Sequence, residues 1–171
     1  MKLNLGCGED IKKGYINMDA VALPGVDTVH DIDCAPWPFE DNSFNEIYCS
    51  HVLEHVSDLA GTMSEIRRVA LPGACILIRA PHFSCGVSYR DPTHRRLFSY
   101  FTFDYFTSDC FYELPKFEII KRQLNFTRLS ATFLNPIINP LLNISPHLYE
   151  RLFCWILPAS EVVCELKVIK D

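Results

Sequence analysis

The sequence predicts a doubly wound α/β fold around a mostly parallel sheet. Three observations carry that expectation. Short apolar runs, several ending in glycine or aspartate, alternate with loop or helical segments, as strands joined by crossovers do. The first run, Lys2-Leu3-Asn4-Leu5, opens directly into a Gly6-Cys7-Gly8 turn. A helical period over 58–70 is closed by Leu71-Pro72-Gly73 and followed at once by the strongest apolar run, residues 74–80.

In chain order, strands are expected at 2–7, 15–19, 27–31 and 44–49, the second and third ending in Asp19 and Asp31. Leu59, Met63, Ile66, Val69 and Ala70 share one helical face over 58–70, with Ser57 or Asp58 as the N-cap. Residues 74–80 make the fifth strand. Residues 81–110 have no clean period and read as a long loop with a short helix near 102–109. Two late runs, 116–127 and 161–169, are expected to pair as an antiparallel sheet edge around a proline-rich apolar insert. No internal repeat is evident. Residues 1–171 read as one domain, its binding motifs in 1–83 and its substrate-facing part in 84–171.

The totals narrow the function. With 49% hydrophobic and 22% charged residues, the 171-residue chain has the composition of a folded protein with a real core. A net charge of −5 argues against a nucleic-acid partner. The eight cysteines contain no C-x-x-C pair, which argues against a zinc ribbon or a thioredoxin-like motif. The first residues run straight into the glycine turn without an export signal, so a cytoplasmic protein with free thiols is expected. The apolar stretch 129–158 is broken by Pro136, Pro140 and Pro146 and carries Glu150 and Arg151, so no membrane span is expected.

The Gly6-Cys7-Gly8 turn carries the chemistry. Glycine there lets the backbone take positive φ and come close to a ligand. Asp19, eleven residues after Gly8, stands where a carboxylate can accept hydrogen bonds from both hydroxyls of a ribose. Asp31-Ile32-Asp33 follows the third strand, where a carboxylate and a backbone amide can read an adenine edge. A dinucleotide site needs a third glycine and a helix whose N-terminus faces the pyrophosphate. Only the six residues Glu9 to Gly14 separate the turn from the next strand, which leaves no room for that helix.

The order of the motifs adds a family. Leu3-Asn4-Leu5-Gly6-Cys7-Gly8 is followed by Asp19, by Asp31-Ile32-Asp33, and by Pro36-Trp37-Pro38-Phe39-Glu40-Asp41-Asn42-Ser43-Phe44. Ser50-His51-Val52-Leu53-Glu54-His55 and Glu65-Ile66-Arg67-Arg68-Val69-Ala70-Leu71-Pro72-Gly73-Ala74 complete the series. Over about residues 3–83 this resembles the class I S-adenosylmethionine-dependent methyltransferases of the small "methyltransferase type 11" kind. The resemblance implies a Rossmann-like methyltransferase fold, S-adenosylmethionine as cofactor, and transfer of its methyl group. It implies that Asn4, Gly6, Cys7 and Gly8 line the methionine part and that Asp19, with Ala20, holds the ribose. Asp31, Ile32 and Asp33 would sit by the adenine, and Ser50 and His51 near the methyl group. Three departures stand out: Asn4 replaces the usual acid, Ala74 replaces a glycine, and the helices that precede the first strand in the family are missing.

Beyond the matched half, Arg90-Asp91-Pro92-Thr93-His94-Arg95-Arg96 clusters an acid, a hydroxyl, an imidazole and three guanidinium groups. His94 is expected as a general base on the acceptor, oriented by Asp91, with His82 as a second candidate. The arginines suggest a small anionic acceptor, such as a phosphorylated or acidic sugar. Two alternatives are weighed. His51-Val52-Leu53-Glu54-His55 matches the inverted zinc-hydrolase signature, but no third ligand is in view and no metal is expected. A cofactor-binding protein without transferase activity is the other. The aromatics Phe98, Tyr100, Phe101, Phe103, Tyr105 and Phe106 are expected to plug the sheet under the missing helices. A bare apolar face, the aromatic stretch 98–106 and the apolar insert 131–157 together predict a homodimer, with the surplus folded back over that face as the monomeric alternative.

Overall fold

A computed structural model describes residues 1–128 and 131–170; residues 129 and 130, which open the 129–158 run, and residue 171 lie outside the described residues. Seven strands form one sheet: β1 (Lys2–Leu5), β2 (Ile16–Asp19), β3 (Thr28–Val29), β4 (Phe44–Ser50), β5 (Ala70–Pro81), β6 (Phe117–Asn125) and β7 (Glu161–Val168). Their order is β3-β2-β1-β4-β5-β7-β6. The first five pair in parallel. β7 runs antiparallel between β5 and β6, so the two late runs do pair, with β6 as the edge and β7 inside it. Helix α1 (Leu59–Val69) precedes β5, the short α2 (Val87–Arg90) and a 3₁₀ turn at Thr102–Phe106 follow it, and α3 (Asn135–Ile144) lies in the insert. Among the described residues, no helix is long and apolar enough to cross a membrane.

The sheet has two unlike faces, and the period-2 alternation of the strands decides which is which. Leu3, Leu5, Ile47, Cys49, Ile76, Ile78, Cys164 and Leu166 are fully buried on one face. Met63, Ile66 and Val69 of α1 belong to the same core, and burying each contributes about 1.5–3 kcal/mol. Phe98, Phe103 and Phe106 join them there. Arg122, whose register partner is Cys164, lies under the Tyr100 ring and pairs with Asp104, which fixes the aromatic segment to this closed side. The expectation that the aromatics plug the helix-free side is thereby corrected.

The other face is polar. Asn4, Glu46, Tyr48, Arg79 and Glu165 project there, and Lys2–Glu46 and Arg79–Glu161 form ion pairs across neighbouring strands. A parallel sheet is usually apolar on both sides because helices cover both. This one alternates, so its helix-free face is not the apolar surface expected from the sequence.

Parallel strands ordinarily need a crossover of a dozen or more residues, usually with a helix. Here β1 and β2 are joined without one, and a buried amide pair does the work. Asn4 Nδ2 donates to the Asp10 carbonyl at 2.7 Å and to Asn17 Oδ1 at 2.9 Å. Asn17 Oδ1 also accepts from the Lys12 amide, while its Nδ2 reaches the Lys12 carbonyl and Asp27 Oδ2. Lys12 then lies over the Tyr48 ring, 4.2 Å from its centroid, so the loop folds across the polar face.

The connection from β3 to β4 also lacks a helix. Arg68 of α1 donates to the carbonyls of Trp37 and Phe39 and to Asp41, and Glu65 accepts from the Trp37 amide. One turn of α1 thus holds the whole Pro36–Asp41 segment. At the same end of the helix, Lys170 donates to the carbonyls of Arg68 and Ala70. β5 begins at once, so Pro72 and Gly73 fall inside the strand, beside a break in its register with β4. The expected side-chain N-cap is not made: Asp58 is the capping residue, but only its carbonyl is used, by Thr62.

The edge strand β6 is closed by a device that sequence reading passed over. Asn135-Pro-Ile-Ile-Asn139-Pro-Leu-Leu-Asn143 repeats every four residues and puts three amides on one side of α3. Asn143 bridges the amide and carbonyl of Leu124, Asn139 accepts from Phe126, and Asn135 bridges Thr127. These bonds occupy backbone groups along and just past the end of an edge that would otherwise recruit another strand.

Asn17→Ala should therefore cost about 2–3 kcal/mol of stability, because it strands buried partners on both sides. Urea unfolding measures this; a loss below about 0.5 kcal/mol would show that the loop is held some other way.

Candidate active site

The carboxyl ends of β1, β2 and β4 and the loops beyond them converge on one rim. β1 ends in a turn whose Gly6 and Gly8 have φ of +62° and +49°. A Cβ on Gly6 would stand 2.2 Å from Val52, so no larger residue fits there. A Cβ on Gly8 would meet nothing within 4 Å, so this peptide borders open space. Asp19 closes the turn from the side: Oδ2 accepts from the Gly8 amide at 2.7 Å and Oδ1 from the Val21 amide at 3.0 Å. Burial first, and then the nearby Asp19, push the Cys7 thiol upward, so it stays an uncharged wall of the turn.

The remaining residues expected at a cofactor divide into two groups. Ala20, Asp31 and Asp33 are exposed and Ile32 is half-buried. Asp31 accepts from the Asp33 amide, while both oxygens of Asp33 accept from the Ser57 amide at 2.8 and 3.1 Å. Asp33 thus braces the approach to α1, which leaves Asp31 as the freer carboxylate. Asn4 is 2% exposed and faces the loop rather than the rim, so it acts on the site only through the peptide it holds.

His51 follows Ser50 at the end of β4 in the left-handed region, φ +56°, a strained conformation for a residue with a Cβ. Its amide donates to the Arg79 carbonyl at 2.8 Å. The imidazole stands between two buried carboxylates, with Nδ1 3.3 Å from Glu54 and Nε2 3.3 Å from Glu161. Burial opposes the imidazolium, but these two bonds outweigh it and hold the His51 pKa above its ordinary value. Glu161 is buried, which alone would raise its pKa; hydrogen bonds from His51, Arg79 and Asn125 bring it down to about 2. Nothing in the sequence singled out Glu161, which comes from the far end of the chain and reaches the rim because β7 is antiparallel.

The Arg90–Arg96 segment is rearranged relative to expectation. Asp91 and His94 are 3.9 Å apart, too far for a hydrogen bond. Asp91 is instead bonded to the amide and hydroxyl of Thr93, and the Thr93 hydroxyl meets His55 Nδ1 at 2.9 Å. His94 packs edge-on against His55, ring centroids 4.7 Å apart. The dyad inferred from the sequence is thus a relay from Asp91 through Thr93 to His55, with His94 alongside. Arg96 turns inward to the carbonyls of Val56 and Ser57, which leaves Arg90 and Arg95 exposed. His82 is fully buried, with its ring nitrogens on Ser84 and Glu150, so it braces the β5 exit and cannot meet an acceptor from this position.

The strand order, with one antiparallel strand next to the edge, and the glycine turn facing an acid at the end of β2 define the class I methyltransferase fold. Solved structures agree. The YcgJ protein of Bacillus subtilis matches with a TM-score of 0.62 and 16% identity, over 99% of this chain and 92% of its own. A SAM-dependent methyltransferase of Archaeoglobus fulgidus matches at 0.59 and 17%, over 97% and 85%. The [4+2]-cyclase SpnF matches at 0.64 and 14%, over 99% and 74%. The family model described as "Methyltransferase domain" matches residues 7–78. The chain thus has the fold of the class I S-adenosylmethionine-dependent methyltransferases, and its residues 7–78 are similar to the methyltransferase domain.

The paired shifts of His51 and Glu161 set a pH window. Glu161 is depressed, so its stabilisation is complete above the ordinary carboxyl value of 4.5 and is lost as pH falls toward about 2. His51 is raised, so its contribution is complete below 6.5 and is lost as pH rises through its folded value. Glu161→Gln should flatten the fall in urea midpoint between pH 4.5 and 2. Parallel curves for the two proteins would contradict this.

Proposed function

We propose that the chain binds S-adenosylmethionine at the Gly6–Gly8 turn and transfers the methyl group to a small anionic acceptor, a phosphorylated or acidic sugar being the class that suits its chemistry. The observation that carries this is Asp19 set against the Gly8 amide beside open space. The residues present fit the cofactor. Gly6, Cys7 and Gly8 offer backbone at close range, Asp19 with Ala20 offers acceptors for ribose hydroxyls, and Asp31 and Ile32 lie where an adenine would rest. Ser50 and His51 stand at the methyl end. The acidic residues of these loops also suit a cationic sulfonium.

When bound, the cofactor supplies an electrophilic methyl group, so the protein's part is to position the acceptor and exclude water. Exposed Arg90 and Arg95 attract the anion, and the Asp91, Thr93, His55 and His94 group serves the acceptor side. The fold alone does not dictate transfer, as the cyclase of the same fold illustrates. Release of S-adenosylhomocysteine with an acceptor present is the signature that separates the two readings. We assign the reaction to the cytoplasm and to a single domain spanning the chain.

Calorimetry should show binding of S-adenosylhomocysteine and none of NAD. Asp19→Ala should weaken that binding at least about tenfold, since charge-assisted hydrogen bonds of about 1.5–3 kcal/mol are lost. Asp19→Asn, which keeps part of the turn, should fall between. Wild-type affinity in both variants would put the ribose elsewhere.

A homodimer remains our reading of the quaternary state, with a changed origin. The apolar surplus lies on the insert, where Phe133, Ile137, Ile144, Trp155 and Ile156 are each more than three-fifths exposed. Light scattering after size exclusion should give twice the chain mass, and Ile137→Glu with Ile144→Glu should return it to one. A wild-type protein already at one chain mass would refute the dimer.

A further inference from the structure

We propose that Glu54, His55 and His94 form a binding site for a zinc-like divalent cation. The inference rests on side-chain geometry and stands whether or not the chain transfers methyl groups.

Glu54 is 1% exposed. Its Oε1 faces His51, and its Oε2 has no hydrogen-bond partner among the described residues. A buried carboxylate oxygen without a partner is costly and rare, and it calls for a cation or a donor that the protein's own groups do not supply. Two imidazoles stand beside it. One ligand atom from each of Glu54, His55 and His94 can be chosen so that all three lie within 4.8 Å of one another. Around a zinc ion with bonds near 2 Å such atoms lie roughly 3.3 Å apart, a contraction that side-chain rotation supplies.

The outer groups are arranged as metal-bound histidines require. A ligating imidazole uses one nitrogen for the metal and gives its other N–H to a fixed acceptor. His55 Nδ1 meets Thr93 Oγ1 at 2.9 Å, and that hydroxyl donates to Asp91 Oδ1 at 2.7 Å. His94 Nδ1 faces the Ser88 carbonyl at 3.4 Å. With both Nδ1 atoms so engaged, both Nε2 atoms are the ones presented. Two imidazoles and one carboxylate suit zinc and its first-row neighbours, whereas magnesium and calcium favour all-oxygen sites.

The inverted-zincin pattern in the sequence points to a different set. There His51 and His55 would chelate and Glu54 would act as base. In the fold His51 is turned toward Glu161, Glu54 becomes a ligand, and the third ligand comes from the loop after β5. A cation here would tie that loop to the turn after β4. Three protein ligands also leave at least one coordination position for water or an anionic oxygen of an acceptor.

The test uses the full chain stripped of metal with a chelator. Zinc alone should bind with one-to-one stoichiometry, more weakly at pH 5.5 than at pH 7.5 because the histidines must be deprotonated. Cobalt should give visible bands of a low-symmetry site without a thiolate charge-transfer band. Glu54→Gln, His55→Asn and His94→Ala should each weaken zinc at least tenfold, and in the two histidine variants, which leave the Glu54–His51 contact in place, S-adenosylhomocysteine affinity should stay within threefold. That affinity reports both folding and the separate cofactor reading; should Glu54→Gln fail to fold, the half-buried His55 carries the comparison. Absence of one-to-one binding, equal affinity in the three variants, or a thiolate band pointing to the cysteines would overturn the site.

Discussion

Two parallel strands joined without a crossover helix are the constraint on which the rest of the molecule depends. In the absence of a helix the loop between β1 and β2 has backbone groups to satisfy and no partner element to satisfy them. Asn4 and Asn17 meet that need from inside the sheet, one amide from each strand, directly beneath the glycine turn. Their position is also the reason the helix-free face must be polar. Amides that point outward from β1 and β2 are continued by Glu46, Tyr48 and Arg79 on β4 and β5, and water or a charged loop can cover such a face where apolar side chains would need protein.

The same economy governs the other short connections. Among the described residues α1 is the one long helix on the closed face, and Glu65 and Arg68 extend its reach over the segment from Trp37 to Asp41. A single helix thereby packs against the strands and also replaces the missing element between β3 and β4. At the far edge, three asparagines on α3 satisfy the end of β6 while the helix leaves its apolar side outward. In each case a polar side chain directed at backbone takes the place of a secondary-structure element.

Much of this was legible in the sequence because it is local. The glycine turn, the acid at the end of β2 and the amphipathic period of α1 each depend on residues a few positions apart. The positions that sequence reading misplaced depend on contacts across the fold. Glu161 is invisible from the sequence because it meets His51 only through the antiparallel placement of β7. The Asp91–His94 pairing failed because the nearer partner of Asp91 is Thr93, two residues on, which hands the contact to His55. The polar face was missed because alternation in strands as short as four residues is easily read as a continuous apolar run. The asparagine stripe was readable, since a four-residue period is a helical one, and was hidden by the prolines within it.

We propose that the β1 turn, the end of β2 and the end of β4 act as one cofactor site. Residue-resolved NMR during titration with S-adenosylhomocysteine tests it most directly. Amide resonances of Gly6, Gly8, Asp19, Val21 and His51 should move together and saturate at one ligand concentration, while those of β6 and α3 stay in place. Shifts centred on α3 and the insert, with the glycine turn silent, would contradict the account.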